Sequence, residues 1–358
     1  MFDQNNPDSL LAIGLMSGTS MDGVDLAACA FEYKDGRWDF TLKKAVTIPY
    51  PDEWIKVMQS LPTVPSQEVF RIDAALGKYF GLLINDFITD LPEKPRLIGS
   101  HGHTLFHQPE AGFTTQVGSG AHIAAVTGID TICDFRSKDV ALGGHGAPLV
   151  PVGDHYLFPQ YEACLNLGGF ANISMLENGK RIAYDICPVN MPLNALAERT
   201  NNRYDHHGEL ARSGTILPEL LEKLNRLDFY TKSGAKSLGR EWYESNFLPL
   251  LKEGSPADLS RTVCEHIALM HAKAFQPIST QGKILVTGGG AHHTFLLERM
   301  AALGNKNLTI PEEGLVNFKE AIVFAFLGVL NYLGRVNVFD SATGSVKQHV
   351  GGALYRGD

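Results

Sequence analysis

Two apolar runs near the start of the chain are separated by a short stretch of small and polar residues. The run "LLAIGLM" begins at Leu10, and "GVDLAACAFEY" begins at Gly23. Short apolar runs bounded by turn residues are typical of buried strands. The pattern therefore predicts a β-hairpin whose turn is rich in glycine, hydroxyl groups and aspartate.

A weaker copy of this pattern occurs in the second half of the chain. "CLNLGGFANISML" begins at Cys164 and predicts a strand, a glycine-bearing turn and a second strand. Asn178 and Gly179 then predict another tight turn, which leads into a third strand. The repeated order of strand, glycine turn and strand predicts two similar domains that face each other.

Longer stretches carry apolar residues at helical spacing, and they cover residues 67–88, 191–202, 260–275 and 318–333. "RLIGSHGHTLFH", from Arg96, predicts a short buried strand that runs into a polar loop. Hairpins followed by helices favour an α/β class with mixed sheets. A Gly/Pro-rich bend predicts a boundary between an N-terminal domain, 1–150, and a C-terminal domain, 151–358.

Composition narrows the class of protein. The 358 residues are 44% hydrophobic and 20% charged, with a formal net charge of -8, which disfavours nucleic acid or an anionic membrane as a partner. The five cysteines are scattered and form no CxxC pair, which indicates reduced thiols. The first residues lack the pattern of a signal peptide, and no apolar run is long enough to span a bilayer. These features predict a cytoplasmic protein.

The turn of the opening hairpin has three possible interpretations: a plain tight turn, a serine nucleophile or a phosphate cradle. Backbone N–H groups reach phosphate oxygens where side chains are small, and hydroxyl groups add donors. "SGTSM" resembles the nucleophile segment of subtilisin-like proteases, but Ser20 precedes His101, and that family has the opposite order. The candidate cradle consists of Gly18, Thr19, Ser20, Met21, Asp22, Gly23, Val24 and Asp25.

A magnesium ion would accompany phosphate at this turn. Mg²⁺ prefers one or two carboxylates together with phosphate and water, so Asp22 or Asp25 could hold it. The GxxxxGK[ST] signature of P-loops is absent, so the cradle would be of a hairpin type. The alternative is an ordinary β-turn at Asp22 and Gly23.

Two further glycine-rich turns lie in the second half. Gly168 and Gly169, with Asn172, lie in the repeated hairpin, and Gly288, Gly289 and Gly290 follow a buried strand and precede a helix. A strand–glycine–helix junction admits a flat or charged ligand, and the helix N-terminus favours anions. Close packing of strand against helix is the alternative, because the GxGxxG spacing is absent.

Charged residues supply the candidate chemistry. Asp185 lies near a strand end before a helical stretch, which suits a general base or a helix N-cap. Arg136 lies in a charged loop that could bind an anionic sugar substituent, or could simply form surface ion pairs. The clustered histidines lack an HExxH spacing, so a zinc site is not predicted.

Taken together, these motifs resemble the anhydro-N-acetylmuramic acid kinases of bacterial cell-wall recycling, members of the actin/hexokinase/heat-shock-chaperone ATPase superfamily. "GLMSGTSMDGVD" matches the first phosphate motif of that family nearly letter for letter. "LNLGGFANIS" is similar to its second phosphate motif, and "VTGGGAHHTFL" to its adenosine motif. The resemblance covers almost the whole chain. It implies a two-lobed actin-like ATPase fold, ribonuclease H-like, with mixed sheets flanked by helices and an interdomain cleft.

The resemblance also implies a reaction and a set of site residues. Such enzymes split the internal 1,6-anhydro bond of the sugar and phosphorylate the released O6 with ATP and Mg²⁺. Asp185 aligns with the general base, and His101, Arg136 and Glu320 with the sugar site. The cradle of the opening turn, with Asp22 near Mg²⁺, would hold phosphates, and the three consecutive glycines would hold the nucleoside. A homodimer is implied as well.

The chain departs from the family at several positions. Around the base the family usually reads DTGPGN, whereas this chain reads DICPVN, so Ile186 and Val189 would narrow a space that glycine leaves open. His103 and His145 stand where glutamine is usual. Two alternative functions therefore stay open. The chain could be a kinase for a related sugar, or a non-catalytic nucleotide- or sugar-binding protein with the same fold.

Overall fold

The chain folds into two compact units. The computed structural model describes residues 9–18, 21, 23–231, 236–304 and 306–358. The first unit comprises the described residues up to Leu157 together with Phe318–Asp358, and the second comprises Phe158–Asn317. The end of the first segment lies close to the boundary that the Gly/Pro-rich bend predicts. Phe318–Asp358 belongs to the first unit, whereas the sequence analysis assigned these residues to the C-terminal domain, 151–358. No local sequence signal marks the point where the chain returns to the first unit.

The first unit combines a mixed sheet with helices. Its strands are β1 (Ser9–Ser17), β2 (Val24–Lys34), β3 (Arg37–Ile48), β4 (Leu97–Gln108), β5 (Phe113–Val117), β6 (Asp130–Cys133) and β12 (Ala353–Tyr355). Its helices are α1 (Asp52–Ser60), α2 (Ser66–Ile88), α3 (Gly120–Thr127), α4 (Ser137–Ala141), α5 (Pro151–Leu157) and α13 (Asp340–Thr343), with most of α12 (Glu313–Tyr332).

The sheet of the first unit has seven strands among the described residues, in the order β12-β6-β4-β1-β2-β3, with β5 paired to β4. Strands β1, β2 and β3 are antiparallel, as the opening hairpin predicts. Strand β4 joins β1 in parallel, and β6 joins β4 in parallel. Parallel pairing brings the carboxyl ends of β1, β4 and β6 to one edge of the sheet.

Both faces of β1, β2 and the first half of β4 are buried, which explains the continuous apolar runs in these strands, whereas the edge strand β3 alternates with exposed positions. Leu11, Ile13 and Leu15 of β1 pack with the apolar stripe of α2, which includes Leu76 and Phe80. Because side chains alternate along a strand, the intervening positions of β1 point to the other face.

Helix α12 covers that other face at very short range. Gly14 of β1 pairs with Gly99 of β4, and neither could carry a side chain. A Cβ atom on Gly14 would lie 1.7 Å from the carbonyl oxygen of Ala321, and one on Gly99 would lie 2.1 Å from that of Phe324. The two glycines therefore let the backbone of α12 rest directly on the sheet.

The second unit is also built from a mixed sheet and helices. Its strands are β7 (Ala163–Leu167), β8 (Phe170–Glu177), β9 (Lys180–Pro188), β10 (Lys283–Thr287) and β11 (Asn307–Thr309). Its helices are α6 (Asn190–Glu198), α7 (Glu209–Ser213), α8 (Pro218–Asn225), α9 (Arg240–Trp242), α10 (Pro256–Ala274) and α11 (Thr294–Gly304).

The two sheets follow the same path. The described strands of the second sheet run in the order β11-β10-β7-β8-β9, with β7, β8 and β9 antiparallel and β10 and β11 parallel to β7. The first sheet contains the same arrangement in the order β6-β4-β1-β2-β3. There β1, β2 and β3 are antiparallel, and β4 and β6 run parallel to β1. The similarity of the two domains, predicted from the weak repeat in the sequence, is confirmed, as is the α/β class with mixed sheets.

Several element bounds differ from the sequence-based expectations. Strand β4 extends to Gln108, because β5 pairs with the residues that the sequence analysis assigned to a polar loop. Helix α12 begins at Glu313, five residues before the predicted start at residue 318. None of the helices in the described part of the chain is both long and apolar enough to cross a bilayer.

Candidate functional site

The opening hairpin contains the first candidate cradle. The N–H of Met21 donates to the carbonyl oxygen of Gly18 at 3.1 Å, which closes a tight turn, and Met21 has a φ of 57°. Three residues of the predicted cradle, Thr19, Ser20 and Asp22, lie outside the described residues. Gly18, Met21, Gly23, Val24 and Asp25 are described, and the turn lies where the sequence predicts it.

A buried hydrogen-bond chain anchors the start of this turn. The Ser17 hydroxyl lies 2.7 Å from the Tyr50 hydroxyl and 3.0 Å from Nδ1 of His103. Ser17 is 1% exposed, and burial lowers the pKa of His103. His103, at a position where the resembling family has glutamine, therefore ties β4 to the start of the opening turn.

His101 lies at an irregularity of β4. The register of β1 against β4 shifts between Leu15 and Ser17, because Leu15 pairs with Ser100 and Ser17 with His103. His101 and Gly102 of β4 stand opposite Met16 alone, so β4 has one extra residue and forms a bulge. Gly102 there has a φ of +70°, which favours glycine. Bulges redirect side chains next to functional sites.

Arg136 forms a fork on His101. Its Nε and Nη2 lie 3.1 and 2.8 Å from Nε2 of His101, and its Nη1 donates to the Gly146 carbonyl oxygen at 2.9 Å. A guanidinium only donates, so Nε2 of the imidazole accepts, and Nδ1–H donates to the Gly102 carbonyl oxygen at 2.9 Å. Burial and the Arg136 charge hold the pKa of His101 well below its usual value. His101 is therefore neutral at pH 7.

Glu320 of α12 completes this polar cluster in the first unit. Burial lowers the pKa of Arg136 to about 10, and the charge of Glu320 opposes that shift. Burial likewise raises the pKa of Glu320, whereas Arg136 and Lys319 lower it and Asp25 raises it. The structure thus brings together the three predicted sugar-binding residues, His101, Arg136 and Glu320, and places Asp25 within electrostatic range of Glu320.

The second unit brings its glycine-rich turns together around Asn190. The Asn190 N–H donates to the Gly168 carbonyl oxygen at 3.1 Å, and its side-chain amide donates to the Leu167 carbonyl oxygen at 3.0 Å. A Cβ atom on Gly290 would lie 2.7 Å from Cβ of Leu167 and 3.1 Å from Oδ1 of Asn190. The turn at Gly168 therefore adjoins the junction at Gly290.

A cavity of about 480 Å³ opens beside Gly289 within the second unit. Its lining residues are Asn190, Leu193, Asn194, Tyr204, Asp205, His206, His207, Gly289, His292 and His293. The volume lies in the range of small-molecule and cofactor sites. Asp205 accepts from the N–H groups of Leu210 and Ala211, and its Oδ2 lies 3.6 Å from Nε2 of His293, so the polar wall is held in place.

Asp185 lies at a bulge of β9. Asn172 of β8 pairs with Asp185 and Ala171 with Cys187, so Ile186 is the extra residue. The Asp185 carboxylate is partly exposed, and its Oδ2 accepts from the Leu238 N–H at 2.8 Å and from the Ser237 hydroxyl at 3.2 Å. Burial raises the pKa of Asp185, and these two donors lower it. The carboxylate does not cap the following helix, because the N-cap residue of α6 is Val189.

Comparison with known proteins identifies the family of the chain. The family model described as anhydro-N-acetylmuramic acid kinase matches residues 10–357. The chain belongs to the anhydro-N-acetylmuramic acid kinase family. A kinase of this name from Pseudomonas fluorescens (strain Pf0-1) is 36% identical over 365 residues, which is 96% of this chain and 99% of the relative. One from Shewanella putrefaciens (strain CN-32 / ATCC BAA-453) is 34% identical over 96% of this chain and 98% of the relative.

A solved structure outside the family also aligns with the chain. The activator of 2-hydroxyisocaproyl-CoA dehydratase from Clostridium difficile, solved with bound ADPNP, is 14% identical. The alignment covers 89% of this chain and 94% of the activator, with a TM-score of 0.43.

The departures from the usual kinase-family sequence around Asp185 lie inside the second unit. Ile186 is 3% exposed and Val189 is fully buried, and both belong to the hydrophobic core that β7, β8 and α10 share. The side chains that replace threonine and glycine in the family motif therefore fill the core of this unit. Within the second unit, they do not narrow an open cavity.

Sequence reasoning missed several residues of the candidate site. Asn190 ends the DICPVN segment, and its hydrogen bonds to Gly168 and Leu167 depend on tertiary packing that the sequence does not display. Ser237 and Leu238 lie about fifty positions from Asp185 in the chain, and nothing local pairs them with it. The local sequence around Ser237, Ser-Leu-Gly-Arg-Glu, carries only a weak signal that this serine contacts a functional residue.

Proposed function

We propose that this protein is an ATP-dependent kinase that opens the 1,6-anhydro ring of anhydro-N-acetylmuramic acid and phosphorylates O6. The product would be N-acetylmuramic acid 6-phosphate, an intermediate of cell-wall recycling. The observation that carries the proposal is the family match, which runs from residue 10 to residue 357 and so covers both compact units. The relatives from Pseudomonas fluorescens and Shewanella putrefaciens carry the same name over nearly their full lengths.

Asp185 would act as the general base. Its carboxylate would take a proton from water while the water oxygen bonds to the anomeric carbon. The bond from that carbon to O6 breaks, and O6 takes the γ-phosphoryl group of ATP, which leaves ADP. The environment of Asp185 supports this role, because a partly buried carboxylate with a raised pKa is a better base than an exposed one.

The glycine-bearing turns would hold the nucleotide. The opening turn, with Gly18, Thr19, Ser20, Met21, Asp22, Gly23, Val24 and Asp25, and the turn of Gly168, Gly169 and Asn172 would bind phosphates. Gly288, Gly289 and Gly290 would hold the nucleoside, for which the adjoining cavity of about 480 Å³ leaves room.

Magnesium would neutralise charge on the transferring phosphoryl group. The described residues include no group of three or more His, Cys, Asp or Glu that could hold a metal ion. Mg²⁺ needs only one or two carboxylates beside phosphate and water, so the carboxylate chemistry of this turn fits it. Asp22 is the proposed ligand, and the neighbouring Asp25 carboxylate accepts from the Thr47 hydroxyl at 2.5 Å.

The sugar would be held by the polar cluster of the first unit. Arg136 would bind its carboxylate, and neutral His101 would keep the fork of Arg136 in position. Glu320 would accept hydrogen bonds from hydroxyl groups of the sugar. We further propose a cytoplasmic homodimer that acts on this small molecule, without a nucleic-acid or membrane partner.

The proposed function is tested by mixing the protein with ATP, Mg²⁺ and anhydro-N-acetylmuramic acid. We expect ADP and a 6-phosphorylated sugar in equal amounts, which coupled ADP detection and mass spectrometry would measure. ATP binding without ADP formation, with this sugar and with other anhydro sugars, would instead support a binding protein that kept the fold.

An Arg136→Lys variant should raise the KM for the sugar by about tenfold or more. Lysine keeps the positive charge but cannot form the fork that reaches both His101 and the Gly146 carbonyl oxygen. The measurement is steady-state kinetics with the sugar as the varied substrate. Arg71→Lys is the matched control, because Arg71 is exposed and pairs only with Glu68 in the described contacts. An unchanged KM would remove Arg136 from sugar binding.

A further inference from the structure

A short segment of the second unit is joined to the candidate base. The Asp185 N–H donates to the Lys236 carbonyl oxygen at 2.9 Å, and the Leu238 N–H donates back to Oδ2 of Asp185 at 2.8 Å. The Ser237 hydroxyl, between them, reaches the same oxygen at 3.2 Å. Backbone and carboxylate of Asp185 are therefore both tied to residues 236–238.

Both donors approach the same oxygen of the carboxylate. In the described part of the chain, the hydrogen bonds to the Asp185 side chain end on Oδ2, and Oδ1 receives none. A carboxylate held on one side by two donors cannot rotate freely, so Oδ1 keeps a fixed direction. Removing an exposed hydroxyl from such a pair changes the orientation of the group and its affinity for a proton.

Among the residues that the structure describes, the titratable neighbours of Asp185 include Cys187 and Lys236. Burial raises the pKa of the Cys187 thiol above its usual range, so it stays neutral. The Lys236 ammonium lies over the Phe229 ring, 4.7 Å from its centroid. Asn172, on the neighbouring strand, is neutral. Burial raises the pKa of Asp185, and the hydrogen bonds from Leu238 and Ser237 oppose that shift.

We propose that the Ser237 hydroxyl is a positioning group for Asp185, which holds Oδ2 so that Oδ1 takes the proton of the attacking water. The proposal rests on the proposed function, because it requires Asp185 to be the base. Ser237 acts through Asp185 and does not itself touch the reacting atoms. The Leu238 N–H gives the second contact to Oδ2. The hydrogen bond from the Asp185 N–H to the Lys236 carbonyl oxygen keeps residues 236–238 aligned beside Asp185.

A Ser237→Ala variant tests the proposal through its pH profile. Loss of one donor to a charged oxygen should raise the pKa of Asp185 by about one pH unit. The base must be ionised, so the acid limb of kcat/KM should move to higher pH by the same amount. At pH 8, kcat should fall about threefold, with the KM for sugar and for ATP unchanged within about twofold.

Matched variants separate this role from a structural one. Ser237→Thr keeps the hydroxyl and should restore the wild-type profile. Ser213→Ala removes an exposed serine hydroxyl that donates to the Leu210 carbonyl oxygen, and it should leave the profile unchanged. A wild-type profile in Ser237→Ala, with an active enzyme, would overturn the proposal.

A second measurement does not depend on turnover. The Asp185 carboxyl signal can be followed by NMR in protein with ¹³C-labelled aspartate, and Asp185→Asn assigns it. The pKa from this titration should rise in Ser237→Ala, and an unchanged value would overturn the positioning role. Absence of turnover in the wild type would refute the proposed function and with it the role of Ser237 in catalysis, whereas turnover with an unshifted Ser237→Ala titration would refute only the latter.

Discussion

Replacement of Asp185 by asparagine is expected to lower kcat by about 10²- to 10⁴-fold, the range that general-base catalysis contributes. The amide has nearly the shape of the carboxylate but cannot take a proton from water. The Leu238 N–H, 2.8 Å from Oδ2, can still donate to the amide oxygen, so the fold around residue 185 should persist. Single-turnover and steady-state assays of ADP release would measure the loss.

Asp228→Asn provides the matched control, because Asp228 is an exposed aspartate of the same unit. It should keep wild-type turnover. Calorimetry with a non-hydrolysable ATP analogue should give equal affinities for the wild type and both variants, which would show that the nucleotide site is intact. Turnover of Asp185→Asn within a few-fold of the wild type would exclude Asp185 as the base.

The largest effect on stability is expected at Gly14. A Gly14→Ala variant places Cβ 1.7 Å from the Ala321 carbonyl oxygen and 2.9 Å from the Ala325 nitrogen, both of them main-chain atoms of α12. Main-chain atoms cannot rotate away, so the helix must shift from the sheet. We expect the free energy of unfolding to fall by about 3 kcal/mol, at the upper end of overpacking effects. Urea unfolding followed by circular dichroism would measure it.

Gly99→Ala should have a similar effect, because its Cβ would meet the Phe324 carbonyl oxygen at 2.1 Å. Gly239→Ala is the control, since the contact of its Cβ is with the far end of the flexible Glu241 side chain. The control should change the urea midpoint little. If Gly14→Ala unfolded at the same midpoint as the control, then α12 would not rest on the sheet as described.

Much of the fold follows from local patterns that the sequence displays. The opening hairpin and the three strands of the second half are marked by apolar runs between glycine or Asn-Gly turns, and both predictions are confirmed. The helix at Ser66–Ile88 is marked by its apolar spacing. These elements depend on residues that are close in the chain, so they can be predicted from the sequence without knowledge of the tertiary structure.

The site was less accessible to sequence reasoning. The bulges at Gly102 and Ile186 redirect the side chains of His101 and Asp185, yet a bulge is a property of two paired strands. The fork of Arg136 on His101 likewise joins residues that are 35 positions apart. Motif resemblance named these residues, whereas their hydrogen bonds depend on packing between distant segments. Their assigned roles stay predictions.

The order of the chain within the first unit has a consequence for protein synthesis. The part of helix α12 that covers Gly14 and Gly99, residues 321–325, leaves the ribosome after the whole of Phe158–Asn317 has been made. N-terminal domains usually fold first during translation, but here one face of the N-terminal sheet stays uncovered until the last residues emerge. Until that helix segment docks, the bare apolar face is open to aggregation, which is the exposure that chaperones counter.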